Sequence, residues 1–176
     1  LYRNGYLLEL DHAQIPNIRH LNKNSAALAT DPENIYGIPY TVTATGTGYR
    51  KDRIHPALLQ SWNVFANPDL SEHMLLLNDS RELLSAALKA LGHSLNTTDR
   101  KEIAEAGRLA RKWVANIGKL GTAAGRLGLD EGEYWIAQTY DGEIALAMLD
   151  NPNIGFLVPE EGGALNAARF VTPTHR

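Results

Sequence analysis

Asp79 and Glu82 stand three residues apart in Asn78-Asp79-Ser80-Arg81-Glu82-Leu83-Leu84, directly after the apolar run Met74-Leu75-Leu76-Leu77. The run reads as a strand and the segment from Ser80 as a helix, so both carboxylates fall at a strand-to-helix turn. In open α/β sheets ligands sit beyond the carboxyl ends of strands, and acid groups placed there suit a cation. The same spacing is also a capping box, with Asp79 as N-cap and Glu82 at the third helical position. The two roles are compatible. A third use, an acid/base pair working on a small substrate, needs companions that the sequence does not supply. There is no Gly-x-Ser-x-Gly elbow, no phosphate-cradling Gly-Lys-Ser/Thr loop and no cysteine. Histidines 12, 20, 55, 73, 93 and 175 have no metal-ligand spacing and read as surface or loop residues. Gly46-Thr47-Gly48 is not followed by the rest of a dinucleotide fingerprint. No cofactor or metal is expected.

A second group with chemical potential is Tyr140-Asp141-Gly142, at the end of a predicted strand over 134–140. It is first a turn and only second a ligand contact, though strand ends converge in this architecture. Trp62, Trp113 and Trp135 are read as core or half-buried packing residues. The formal net charge of −3, without a long basic or acidic block, argues against nucleic acid and anionic membrane as partners. No run of 18 apolar residues is present, so no membrane span is expected. The opening Leu1-Tyr2-Arg3-Asn4-Gly5 lacks Met and a charged-then-apolar leader. The expectation is that a signal peptide was removed or that the chain belongs to something longer.

The elements that must position these groups follow from periodicity and punctuation. Tyr6 to Leu10 reads as a short strand, and Ile15-Pro16-Asn17 and Asp31-Pro32-Glu33-Asn34 as turns. Tyr36 to Tyr49 reads as one or two strands with close backbone approach at Gly37, Gly46 and Gly48, and with Pro39 against a central position. Ser61 opens a short helix that Pro68 ends. Leu83, Leu84, Ala87, Leu88 and Leu91 share one helical face before Gly92. Asp99 and Glu102 form a second capping box for a helix to about Ile117, while Leu120 to Leu129 is Gly- and Ala-rich and carries no clear period. Asp141-Gly142 is taken as a turn, Glu143 to Leu149 as a helix and Ile154 to Val158 as a buried strand, followed by Pro159-Glu160-Glu161-Gly162-Gly163. The order β-α-α-β-α-β predicts an α/β layered fold. Its 176 residues are enough to bury roughly 70% of the unfolded surface.

Taken in order, these segments resemble a known family. Gly5-Tyr6-Leu7-Leu8-Glu9-Leu10-Asp11, Tyr36-Gly37-Ile38-Pro39-Tyr40, Thr45-Gly46-Thr47-Gly48-Tyr49, Ser61-Trp62, Leu77-Asn78-Asp79-Ser80-Arg81-Glu82, Tyr140-Asp141-Gly142 and Val158-Pro159-Glu160-Glu161-Gly162-Gly163 are similar to the spermidine/putrescine-binding proteins of bacterial ABC transporters. These are type II periplasmic binding proteins. The resemblance covers roughly residues 1 to 165. It implies an α/β lobe with a mixed sheet flanked by helices and an incomplete second lobe. Residues 1–43 would be part of the first lobe and a crossover strand, 44–165 the second lobe and 166–176 a return crossover. It implies a non-enzymatic, periplasmic protein that binds a small cationic ligand, a polyamine, between lobes and delivers it to an ABC permease. Carboxylates would take the ammonium groups through charge-assisted bonds, and aromatic rings would cover the methylene chain.

Residue by residue, Asp79 and Glu82 match the family's acidic pair, and Tyr140 stands where the family carries an aromatic. After Glu-Gly-Gly the family usually places an aromatic and then an Asp that grips an amine. Those places hold Asn166 and Ala168, and Arg169 adds a positive charge beside them. The resemblance therefore implies weakened polyamine binding, with Asp79, Glu82, Tyr140 and Asn166 as the ligand-facing set. The alternatives are a binding-protein-like domain used in protein interaction, or one that takes a different solute. Strands missing beside Tyr36 to Thr45 would leave an exposed sheet edge and favour a homo-oligomer.

Overall fold

The computed structural model describes residues 4–22, 31–117, 119–121 and 124–174. They fall into two compact units, one of 1–43 with 165–176 and the other of 44–164.

The larger unit is built around a sheet in the order β3-β2-β4-β1-β5. Its strands are β1 (Gly37–Arg50), of which 44–50 belong to this unit, β2 (Met74–Leu77), β3 (Leu120–Gly121), β4 (Ile136–Tyr140) and β5 (Ile154–Leu157). β2 runs parallel to both β3 and β4, and β1 runs antiparallel to β4 and β5. The α-helices of this unit are α1 (Ser80–Ala90), α2 (Arg100–Ile117), α3 (Ala124–Glu131) and α4 (Asp141–Asp150).

All four residues of β2 are buried because both faces of the sheet are covered. Met74 and Leu76 join Trp62, Phe65 and Trp113 with α1 and α2 on one face. Leu75 joins Leu129, Ala137, Ile144 and Ala147 with α3 and α4 on the other. The two clusters are the reason the run Met74-Leu75-Leu76-Leu77 does not alternate. Trp62 and Trp113 are core residues, at 1% and 0% exposure, and Phe65 packs between them with ring centroids 6.3 and 6.2 Å away. Trp135 is half-buried and stacks on His73 at 3.7 Å. His12, His20 and His55 are exposed and His73 and His93 intermediate, while His175 lies outside the described residues.

Several sequence expectations shift in detail. The stretch expected as one or two strands is a single strand, Gly37–Arg50, and its glycines do let other groups close in. A Cβ on Gly46 would meet the Phe156 ring at 2.5 Å, and one on Gly48 would meet Ile144 Cδ1 at 2.9 Å. Pro68 follows one 3-10 turn, Trp62–Ala66, and begins the next, Pro68–His73, with Asn67 capping it through its side chain. Proline suits that place because the first helical position has no partner for an N–H. Asp141-Gly142 is not a separate turn but the start of α4. Strand β5 ends at Leu157, and Val158 is exposed. Of the stretch Leu120 to Leu129, Leu120–Gly121 is β3 and residues 124–129 belong to α3, while 122 and 123 lie outside the described residues.

In the smaller unit, Tyr6 to Leu10 is extended but, among the described residues, makes only a single bridge, Leu7 to Pro173, rather than a strand. Ile15-Pro16-Asn17 opens the 3-10 segment Pro16–His20 instead of a simple turn. β6 (Leu165–Val171) pairs with β1. The Asp31 carboxylate collects the backbone N–H groups of Ile35, Tyr36 and Gly37.

Candidate functional site

Parallel pairing of β2 with β4 brings their carboxyl ends to one edge of the sheet. Met74 is opposite Ile136 and Leu75 opposite Ala137, so the chain leaves β2 at Asn78-Asp79 beside the point where β4 ends at Tyr140. Antiparallel β1 brings Thr45 opposite Tyr140 at the same edge. Three segments distant in sequence thus place Thr45, Asp79, Glu82, Tyr140 and Glu143 in one neighbourhood.

The two carboxylates divide the work of the Asp-x-x-Glu spacing. Asp79 is exposed and in extended backbone, and its Oδ1 accepts the N–H groups of Arg81 at 2.8 Å and Glu82 at 3.2 Å. It is the N-cap of α1, placed where the helix dipole favours an anion. Glu82 is 4% exposed and accepts the Thr45 hydroxyl at 2.7 Å, a bond across 37 residues of chain. The Glu82 backbone carbonyl accepts Gln138 Nε2 at 3.2 Å, and Gln138 Oε1 accepts the Leu77 N–H at 3.3 Å, so α1 is tied to both β2 and β4. Glu143, in the first turn of α4, accepts from Thr139 Oγ1 at 3.4 Å.

Tyr140 registers this company. Burial pushes its phenol above the ordinary tyrosine range, and the carboxylates of Glu82, Asp79 and Glu143 push it further the same way. The phenol is therefore held neutral, an oxygen acceptor amid anionic groups. A cation entering here would meet hydrogen-bond acceptors and negative charge together, the combination an ammonium group requires. Among the described residues no cluster of three or more His, Asp or Glu side chains has the geometry to hold a metal ion.

The second sequence motif lies against the same neighbourhood. The Pro159–Gly163 turn is held by Trp62 Nε1 donating to the Gly162 carbonyl at 2.8 Å, by Ser61 Oγ donating to Glu161, and by the Glu160 N–H donating to the Gln60 carbonyl at 2.8 Å. Beyond it, the Thr45 N–H donates to the Ala164 carbonyl at 2.9 Å.

The whole chain, residues 1–176, matches the family described as bacterial extracellular solute-binding protein. The chain belongs to that family. Members are binding components of transporters rather than enzymes. The spermidine/putrescine-binding periplasmic protein of Salmonella typhimurium is 30% identical over 161 residues, covering 92% of this chain and 46% of that protein. The putrescine/cadaverine-binding protein of Pseudomonas aeruginosa is 31% identical over 180 residues, covering 94% of this chain and 50% of that protein. The solved structure of the TpPotD lipoprotein of Treponema pallidum superposes with a TM-score of 0.87 at 26% identity, covering 98% of this chain and 55% of that one. The chain thus spans about half the length of the curated relatives it matches. The resemblance read from Asp79-Ser80-Arg81-Glu82 and the Pro-Glu-Glu-Gly-Gly turn pointed to this family, and the α/β reading agrees with the solved relative.

Asp79, Glu82 and Tyr140 are neighbours in the larger unit. Asn166 lies on β6 in the smaller one, half-buried, with Ala168 exposed two residues on. Arg169 is engaged within its own unit. It sits 3.5 Å from the Asp31 carboxylate and donates to the Asp31 and Gly37 carbonyls and to the Asn34 side chain. That pairing corrects the expectation of an added positive charge, since Asp31 offsets it. The residue that sequence reasoning missed is Thr45. It sits in a stretch rich in threonine, and no local spacing marks which of Thr41, Thr43, Thr45 or Thr47 meets Glu82. Only the register Thr45 to Tyr140 does so.

Proposed function

We propose that this chain is part of a periplasmic polyamine-binding protein serving an ABC importer, and that Asp79, Glu82 and Tyr140 take one ammonium group of the ligand. The observation that carries the reading is the placement of Asp79, Glu82, Tyr140 and Glu143 together at the carboxyl ends of β2 and β4 by the strand register. Charged donors gain most where the acceptors are already fixed by other bonds, as Asp79 is by the α1 N-terminus and Glu82 by Thr45. The Tyr140 ring offers a face to the methylene chain beside the ammonium group.

The grip on the ligand's second ammonium group is reduced in this chain. Where the family usually carries an aromatic and an aspartate, Asn166 offers an amide and Ala168 no polar group. A desolvated ammonium group without a carboxylate costs several kcal/mol, which one remaining contact does not return. The expected affinity for putrescine or spermidine is no tighter than roughly 0.1–1 mM, about 4–5.5 kcal/mol.

Isothermal calorimetry with putrescine and spermidine tests both parts. Binding in that range, weakened further by Glu82→Gln, supports them. Micromolar spermidine affinity abolished by Glu82→Gln would keep the polyamine reading and overturn the weakened grip. Binding indifferent to Glu82→Gln, or absent even at ligand concentrations well above that range, would overturn the assignment of these residues to a polyamine.

A further inference from the structure

We propose that Thr45 is the positioning residue for Glu82, and that the Pro159–Gly163 turn acts on the ligand site by fixing Thr45. The inference rests on the reading that Glu82 takes an ammonium group.

Glu82 occupies the third position of α1, where a glutamate in a capping box reaches back to the N–H of its own N-cap. Here the side chain also accepts a hydroxyl from outside the helix, that of Thr45 at 2.7 Å. A carboxylate 4% exposed needs donors that are themselves held, and Thr45 is 2% exposed. Thr45 is held from three sides. Its β-branched side chain has few rotamers to choose from. Its N–H is committed to the Ala164 carbonyl at 2.9 Å. Its own carbonyl lies so close to Gly163 that a Cβ there would overlap the oxygen. That close approach requires glycine at 163, and it transmits the position of the turn to Thr45. The turn is anchored in its own right by Trp62 to Gly162 and by Ser61 to Glu161. The line from Trp62 and Ser61 through Gly163 and Thr45 to Glu82 gives the Pro-Glu-Glu-Gly-Gly motif a role that does not require it to touch ligand.

The test compares Thr45→Val, which keeps the shape and deletes the hydroxyl, with Thr45→Ser, which keeps the hydroxyl. Loss of a hydrogen bond to a charged group is worth at least about tenfold in affinity. Thr45→Val is expected to weaken putrescine binding by that factor or more, and Thr45→Ser to stay within about threefold of the unchanged protein. A ligand-free readout accompanies it, the titration of Tyr140 followed by NMR of the labelled ring. Once Glu82 turns toward solvent, the Tyr140 phenol should ionise at lower pH in Thr45→Val and as before in Thr45→Ser. Putrescine affinity unaffected by Thr45→Val would overturn the proposal, as would a Tyr140 titration that stays in place or moves up. If the unchanged protein binds no polyamine, the functional reading fails, and the Tyr140 titration still decides whether Thr45 positions Glu82.

Discussion

Replacing Gly163 by alanine isolates a purely spatial demand of the fold. Gly163 does not need a left-handed backbone, so the penalty is one of room. The added Cβ would overlap the Thr45 carbonyl oxygen, and would stand 3.3 Å from both the Thr45 carbonyl carbon and Val158 Cγ1. The first contact is between backbone segments, so no rotamer change relieves it. To restore ordinary contact the turn and β1 must separate by about an ångström, which strains the Thr45 to Ala164 hydrogen bond of 2.9 Å. Overpacking of this kind costs about 1–3 kcal/mol, and the weakened hydrogen bond adds about 1 kcal/mol. With a urea slope of about 2 kcal/mol per molar, the midpoint should fall by about 1–2 M. Gly92→Ala supplies the contrast. Gly92 has φ +76° and nothing within 4 Å of an added methyl group, so only the conformational penalty applies. That penalty is about 1–2 kcal/mol, or a fall of about 0.5–1 M. Urea unfolding followed by tryptophan fluorescence reads both. A Gly163→Ala midpoint within a few tenths of a molar of the unchanged protein would refute the argument that Thr45 is held by this contact.

Asp79→Ala should cost about 1 kcal/mol through loss of the α1 cap, while Asp79→Asn should hold most of it, since an asparagine side chain caps nearly as well. Thermal or urea unfolding checks both, and an unchanged midpoint for Asp79→Ala would argue that α1 is set by tertiary packing alone. Tyr134 and Tyr140 both have phenols raised by burial first, with the Glu133 carboxylate adding at Tyr134 and those of Glu82, Asp79 and Glu143 at Tyr140. The unfolded chain then releases these protons before the folded one does, so stability is intact below pH about 10 and declines as pH rises above it. Tyr140→Phe and Tyr134→Phe should each flatten that alkaline decline in a pH series of unfolding midpoints.

Elements with a one-dimensional signal were legible. The burial of β2, the helix from Ser80 closed at Gly92 and the cap at Asp79 all follow from runs, periods and a single residue type at a defined place. Elements whose outcome depends on what packs against them were not. Asp141-Gly142 looks like a turn in sequence, yet β4 ends at Tyr140 and α4 starts at once, with the Asp141 carboxylate accepting the Gly142 N–H at 2.7 Å. Tyr6 to Leu10 has the composition of a strand, but its backbone partners are divided between Thr172 and Thr174 on one side and Ile35 on the other, and among the described residues only the Leu7 to Pro173 bridge forms. The second capping box failed on its glutamate. Asp99 accepts the Lys101 N–H, but Glu102 accepts the Thr97 hydroxyl and lies 3.6 Å from His93.

The two predicted capping boxes, Asp79 with Glu82 and Asp99 with Glu102, are therefore alike in sequence and different in consequence. In both, the aspartate caps and the glutamate turns to a threonine hydroxyl. At Glu102 that threonine is five residues away in a neighbouring loop, the carboxylate is about one-third exposed, and the bond closes a local turn. At Glu82 the threonine comes from a strand 37 residues away, both partners are buried, and the bond holds a carboxylate at the carboxyl ends of β2 and β4, beside the middle of β1. Local spacing selects residues that can cap, and it cannot say whether the glutamate left over will face water or a tyrosine among carboxylates. The strand pairing decides that, because the register of β1 against β4 determines which threonine arrives. A buried carboxylate that is held by a remote donor can meet a ligand without disturbing the helix that Asp79 starts. One short motif can in this way serve the fold through Asp79 and the site through Glu82.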